Sequence, residues 1–291
     1  MRSRILKIFV NILSAAVILI VFDWLLVARF HYNAFSLFER VLSAPDRLEQ
    51  NLPYNKKKRP AVTIGCSFVY GFNITPEETL AYKLQKLTKR KTYNLGLNAS
   101  GIQHVLYKLQ YMDFFDSINP KYVIYVFITD HIRRMYADYF ELYTAEKYLK
   151  YEMKDGSFEP VSPDISLFDY IKASYTAKKI NRLLFSLKSD DEKFNLLKLY
   201  LIECRKTVKE TYPDAEFAVI VYNSELDTHG STPFKTSRWK EIEEEGITVI
   251  NFDTDEYKFL NEDEYKTEDK QHPSGRAWDV LAPVIAEKLK L

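Results

Sequence analysis

Ser67, Asp269 and His272 are the residues whose types and spacing could together do chemistry in this chain. Ser67 follows the apolar run PAVTIG and a single cysteine, and the chain then passes through aromatics to Gly71. A lone hydroxyl at such a place is ordinarily a cap or turn residue. Asp269 and His272 stand three apart in DKQHPSG, immediately before the apolar spacing of a last helix. In a tight turn that spacing lets the carboxylate reach the imidazole N–H of its own loop. The acid then fixes the tautomer and stabilises the imidazolium formed when the other ring nitrogen takes a proton from serine. Read together, the three are a nucleophile, a base and its orienting acid.

Cys66 is the rival nucleophile, and a thiol is intrinsically stronger. Neighbours at a strand-to-helix elbow point in different directions, however, so one imidazole cannot serve both, and the sequence favours Ser67. The only other cysteine is Cys204, and a structural disulfide beside the candidate site is not expected. No C-x-x-C or His/Cys metal spacing occurs, so no metal is expected. No glycine-rich phosphate loop occurs either, so no nucleotide cofactor is expected. A net charge of +1 gives no electrostatic case for a nucleic-acid partner. Sequons at Asn73 and Asn98 flank the site and read as chance matches. His104 reads as a helix-face residue and His229 as an exposed loop residue. Arg133 and Arg134 read either as holders of an anionic substrate group or as structural ion pairs.

The elements that must position these groups alternate. PAVTIG, TYNLGL, KYVIYVFI, AEFAVIVY and GITVINF read as strands, and the third is nearly continuous in apolar character, as a strand covered on both faces should be. Between them PEETLAYKLQKLTK has helical spacing with Pro76 at its start, and GIQHVLYKLQYMDFF places Ile102, Val105, Leu109 and Met112 on one face. Helices over residues 191–211 and 275–290 complete the set, while EIEEEG reads as a solvated helix end. Strands separated by helices of this length imply parallel pairing, hence a three-layer α/β sandwich over residues 60–291 with a mostly parallel central sheet. A Tyr-rich insertion at about residues 132–190 interrupts it, with a hairpin expected to turn at Asp155-Gly156.

Ahead of this body, residues 5–30 are apolar almost throughout. From Ile8 to Phe22 only Asn11 and Ser14 are polar, and about 20 such residues span a bilayer core as a helix. The run is longer than the apolar part of a cleaved leader and has no small-residue cleavage site after it. The sequence thus predicts a single-pass anchor over residues 1–30 with the lipid bilayer as its partner, and a basic linker over residues 31–59. Arg2, Arg4 and Lys7 before the span lean the body towards the extracytoplasmic side.

Four ordered blocks resemble the SGNH (GDSL-type) hydrolases: GCSFVYG, NLGLNASG, YVIYVFITDHIRR and DKQHPSG. The resemblance implies a flavodoxin-like sandwich in which Ser67 is the nucleophile, His272 the base and Asp269 its orienter. It also implies an oxyanion hole made by the backbone N–H groups of Ser67 and Gly101. Two departures stand out. Cys66 occupies the position of the family's Asp, and the third block lacks the Asn that supplies a further donor, leaving Thr129, His131 or a protonated Asp130. The implied activity is a serine esterase removing O-acyl groups from a cell-surface glycan or lipid. An O-acyltransferase using the same acyl-enzyme, or a catalytically weak binding or assembly factor on the same scaffold, are the alternatives.

Overall fold

The computed structural model describes residues 47–136, 149, 151–154, 157–161, 183–222 and 233–291, together with Ser14, Val17, Ile18 and Val21, which are helical and exposed. The rest of the apolar run at residues 5–30 lies outside the described residues. Among the described residues no helix is long and apolar enough to cross a membrane.

Five strands form one parallel sheet: β1 (Ala61–Gly65), β2 (Thr92–Gly96), β3 (Tyr122–Phe127), β6 (Glu216–Val221) and β7 (Thr248–Asn251). Their order is β2-β1-β3-β6-β7, with every pair parallel. The expected strands therefore form the expected α/β sheet. β4 (Tyr151–Lys154) and β5 (Ser157–Pro160) pair antiparallel as a separate two-stranded sheet, while Asp155 and Gly156, expected to make the turn between them, lie outside the described residues. The remainder of the insertion, residues 137–148, 150, 155–156 and 162–182, lies outside the described residues.

Alternation along the strands builds two cores. In β3, Val123, Tyr125 and Phe127 enter one apolar cluster while Tyr122, Ile124 and Val126 enter the other, as the two-residue period of a strand requires. The first cluster is closed by α3 (Ile102–Tyr111) and the long α6 (Asp190–Thr211), the second by α2 (Leu80–Thr88) and the terminal α8 (Gly275–Lys288). Each fully buried Val, Ile or Phe contributes about 1.5–3 kcal/mol, so both faces resist displacement of the sheet.

Three elements differ from the sequence reading. α5 (Asp130–Tyr136) follows β3 directly, so the first residues of the supposed insertion belong to the body. α7 (Thr236–Glu244) includes part of the acidic run, yet buries Trp239 and Ile242 against the first core. From Arg47 onward the segment expected as linker is bonded to the body: the Leu48 carbonyl accepts the Asn94 N–H at 2.9 Å, and Gln85 Nε2 donates to the Leu52 carbonyl at 2.8 Å.

The sheet reverses direction of growth between β1 and β3, where an open α/β sheet forms its crevice at the strands' carboxyl ends. There α1 (Ser67–Tyr70), a single turn, rides directly on β2. A Cβ on Gly96 would stand 2.0 Å from the backbone nitrogen of Tyr70. Gly96→Ala is therefore expected to force α1 off the sheet and cost about 3 kcal/mol, the upper part of the range for overpacking, read as a lower urea midpoint at unchanged slope.

Candidate active site

The carboxyl end of β1 runs through Cys66 into α1, and Ser67 is its first residue. Its backbone N–H therefore has no intrahelical acceptor. The other end of this turn is held by Asn94, whose Nδ2 donates to the Val69 carbonyl at 2.8 Å while its Oδ1 accepts the Gly96 N–H at 2.9 Å. Gly71 ends the helix in the left-handed region at φ 85°.

The loop before α8 brings the second half of the site. Thr267 N–H donates to the His272 carbonyl at 2.8 Å, and Lys270 takes a left-handed φ of 57°, closing a tight turn. Inside it Asp269 Oδ1 accepts the backbone N–H groups of Gln271 (2.9 Å) and His272 (3.0 Å) and the Thr267 hydroxyl (2.8 Å). Asp269 Oδ2 lies 2.7 Å from His272 Nδ1. His272 Nε2 lies 2.9 Å from Ser67 Oγ. Residues 205 positions apart in the chain thus meet in one hydrogen-bonded line.

Electrostatics assigns the protons along it. Burial alone would raise the Asp269 carboxyl, but the donors from Gln271, His272 and Thr267 outweigh it and hold the group well below the usual carboxylate range. An ionised acid on Nδ1 keeps the neutral imidazole's proton there, leaving Nε2 to accept from serine. Burial pushes the Cys66 thiol up, and the nearby Arg134 guanidinium, Phe68 N–H and Ser67 hydroxyl offset this only in part. A buried, protonated thiol is a poor nucleophile. Cys66 and Cys204 are both free and buried. The rings of Phe68 and Phe72 flank the imidazole at 5.3 and 4.9 Å.

The expected oxyanion donors fare differently. Gly101 N–H already donates to His104 Nδ1 at 3.0 Å, because His104, three residues into α3, folds back on the residue before the helix. It is not a free donor as the resemblance implied, and His104 is a buried capping group rather than a plain helix-face residue. Asp130 cannot donate. Burial would raise it, but Arg134 and Arg133 outweigh burial and keep it ionised, well below the usual range. His131 is fully buried with its Nδ1 2.5 Å from the Tyr125 hydroxyl. Burial, with Arg134 adding to it, drives His131 well below the ordinary imidazole range, so the ring is neutral. Thr129 is buried beyond the end of β3, and no hydrogen bond of its hydroxyl is found among the described residues. His229 lies outside the described residues.

Arg133 and Arg134 form a buried cluster with Asp130: Arg133 Nε stands 2.8 Å from Oδ1 and Arg134 Nε 2.7 Å from Oδ2. Arg134 Nη1 donates onward to the Ser100 carbonyl at 2.5 Å, and Ser100 Oγ to the Gly65 carbonyl at 2.9 Å. The ends of β1, β2 and β3 are thereby laced together beneath Ser67. Of the two readings of this arginine pair, the ion-pair reading describes what Asp130 receives.

Sequence reasoning missed Asn73, whose Nδ2 donates to Asp269 Oδ2 at 3.0 Å. Its sequon was the only signal it carried, and that pointed elsewhere.

No family model matches the chain, and no curated protein matches it. Solved structures with a similar arrangement include a G-D-S-L family protein from Desulfitobacterium hafniense DCB-2, at 10% identity and TM-score 0.47 over 79% of this chain and 99% of that one. The psychrotrophic esterase EstA from Pseudoalteromonas sp. follows at 12% and 0.46 over 80% and 97%. An acetylxylan esterase from Geobacillus stearothermophilus, as a catalytic mutant, stands at 13% and 0.44 over 83% and 97%. At TM-scores of 0.44 to 0.47 these likenesses bear on neither substrate nor activity.

Asp130→Asn removes the carboxylate that both buried guanidiniums share and is expected to destabilise the fold by about 3–5 kcal/mol at neutral pH, read by urea unfolding. A carboxyl depressed in the folded state stabilises above its unfolded value of about 3.9 and loses that contribution as pH falls towards its folded value. The gap between the two proteins is therefore expected to stay full at pH 5 and to narrow only below about pH 4.

Proposed function

We propose that this chain is a serine ester hydrolase of SGNH type. The observation that carries the reading is the line from Ser67 Oγ through the His272 imidazole to the Asp269 carboxylate, at 2.9 and 2.7 Å. In this reading Ser67 Oγ attacks the ester carbonyl while His272 Nε2 takes its proton. The imidazolium, held by Asp269, then gives that proton to the departing alkoxide, leaving an acyl-serine. Water repeats the sequence with His272 as base, releasing the carboxylic acid and restoring the hydroxyl. The oxyanion is taken by the Ser67 backbone N–H, with the Thr129 hydroxyl as the remaining candidate.

The substrate class is an O-acylated glycan or lipid at the cell surface, and residues 5–30 anchor the chain in the membrane with the body outside. Support for this part is the apolar run and the cations ahead of it. Protease added to cells with a permeabilised outer layer is expected to digest the body; protection until the inner membrane breaks would place it in the cytoplasm.

Two observations favour a second reading, a catalytically weak binding or assembly factor on this scaffold: Gly101 N–H is engaged by His104, and Asp130 is ionised. Losing one oxyanion donor commonly costs about 10²–10³ in rate. A fluorophosphonate probe and a screen of short-chain p-nitrophenyl esters decide between the two. The esterase reading expects labelling at Ser67 and turnover abolished in Ser67→Ala, with a measurable part kept in Cys66→Ala. Asp269→Asn is expected to lower turnover by about 10⁴-fold in a folded protein. Unlabelled Ser67, or full activity in Asp269→Asn, would remove it.

A further inference from the structure

We infer that Arg47, ahead of the first strand, is a positioning residue for the triad: it pins the loop that carries Asn73 onto Asp269 and Phe72 onto His272. The catalytic half of this inference rests on the esterase reading; the geometric half does not.

A single nitrogen does the pinning. Arg47 Nη1 donates to the Gly71 carbonyl at 2.6 Å and to the Ile74 carbonyl at 2.7 Å, the two ends of the four-residue loop. Its guanidinium carbon stands 5.0 Å from the centroid of the Tyr70 ring, on the last residue of α1. Gly71 makes room for it: a Cβ there would lie 3.1 Å from Nη1, and at φ 85° only glycine is at ease.

The start of the loop is tied to α1, because the Phe72 N–H donates to the Ser67 carbonyl at 3.1 Å, and its end is buried, because Ile74 packs in the second core; between them the backbone is held less closely. The Ile74 N–H reaches the Gly71 carbonyl only at 3.4 Å, and Asn73 sits at a left-handed φ of 60°. From that position Asn73 Nδ2 reaches Asp269 Oδ2, the same oxygen that faces the imidazole. Phe72, next to it, packs its ring against His272 at 4.9 Å. Both contacts on the triad therefore come from the two residues lying between the carbonyls that Arg47 bridges.

The arginine itself stands on a fixed base. Leu48 packs on the first core and its carbonyl accepts the Asn94 N–H, while Gln50 Nε2 donates to the Arg47 carbonyl at 3.2 Å. Asn94 is also the residue that holds the Val69 carbonyl of α1. The stretch before β1 and the nucleophile's helix thus share one anchor point.

The test uses the full-length chain with Arg47→Ala, Arg47→Lys, Asn73→Ala and the Arg47→Ala/Asn73→Ala pair, on p-nitrophenyl acetate. A misplaced orienting group acts on the chemical step. Arg47→Ala is expected to lower kcat about tenfold with KM within about twofold. Arg47→Lys should restore most of it, because one ammonium can bridge both carbonyls. The double variant should be no slower than the slower single one. The low-field proton resonance of His272 Nδ1–H against Asp269 should shift or broaden in Arg47→Ala and Asn73→Ala, a readout that needs no turnover. If the wild-type chain hydrolyses none of the esters, the esterase reading fails and the resonance alone decides the clamp. Should Arg47→Ala not fold, Arg47→Met, which keeps an apolar stem and removes both donors, carries the same comparison. An unmoved resonance, kcat within about twofold of wild type in Arg47→Ala, or a loss that lysine leaves unrestored would overturn the assignment.

Discussion

A hydrogen bond between side chains 205 positions apart must be held by something stiffer than the two loops that carry them. Here the stiff part is the pair of helices under the second core. The loop with His272 runs straight into α8, and α8 packs with α2 against the face of the sheet from which β1 delivers Ser67. Trp278, Leu281 and Ile285 are fully buried in that contact. Apolar packing sets where the imidazole stands, and the short turn of Asp269 sets which way it faces. A 2.9 Å contact to Ser67 follows only if both are right.

The polar part of the site follows a different logic. Around Asp269 every donor is short-range or loop-borne, and the group stays partly open to solvent. Around Asp130 the donors are two guanidiniums in the interior, where an unmatched charge is costly. The first arrangement leaves one carboxylate oxygen directed at the His272 ring. The second leaves no such freedom and joins the ends of three strands.

Much of this was legible in the sequence, for physical reasons. The five strands could be read because strands covered on both faces are apolar runs of a length no helix needs. Asp269 and His272 could be paired because their partnership is local. The acidic run was read rightly as a solvated helix end, but the inner face of α7 was not, because Trp239 lies ahead of that run and Ile242 stands alone among its glutamates. α5 was obscured because Asp130 begins a helix immediately after a strand, without a turn signal. The role given to Gly101 failed because resemblance places a backbone N–H but says nothing of a histidine three residues later that claims it. Arg47 carried no pattern and Asn73 only a sequon that pointed elsewhere: both act through long-range contacts, and such contacts leave no periodicity.

Asn73 also has a bearing on how the chain can be made. It opens an N-I-T sequence, and the amide nitrogen that an oligosaccharyltransferase would substitute is the one that donates to Asp269 Oδ2. A sugar on that nitrogen would stand between the loop and the triad's acid. Secretion from a eukaryotic host would therefore expose this hydrogen bond to modification, whereas a host without that enzyme leaves it intact.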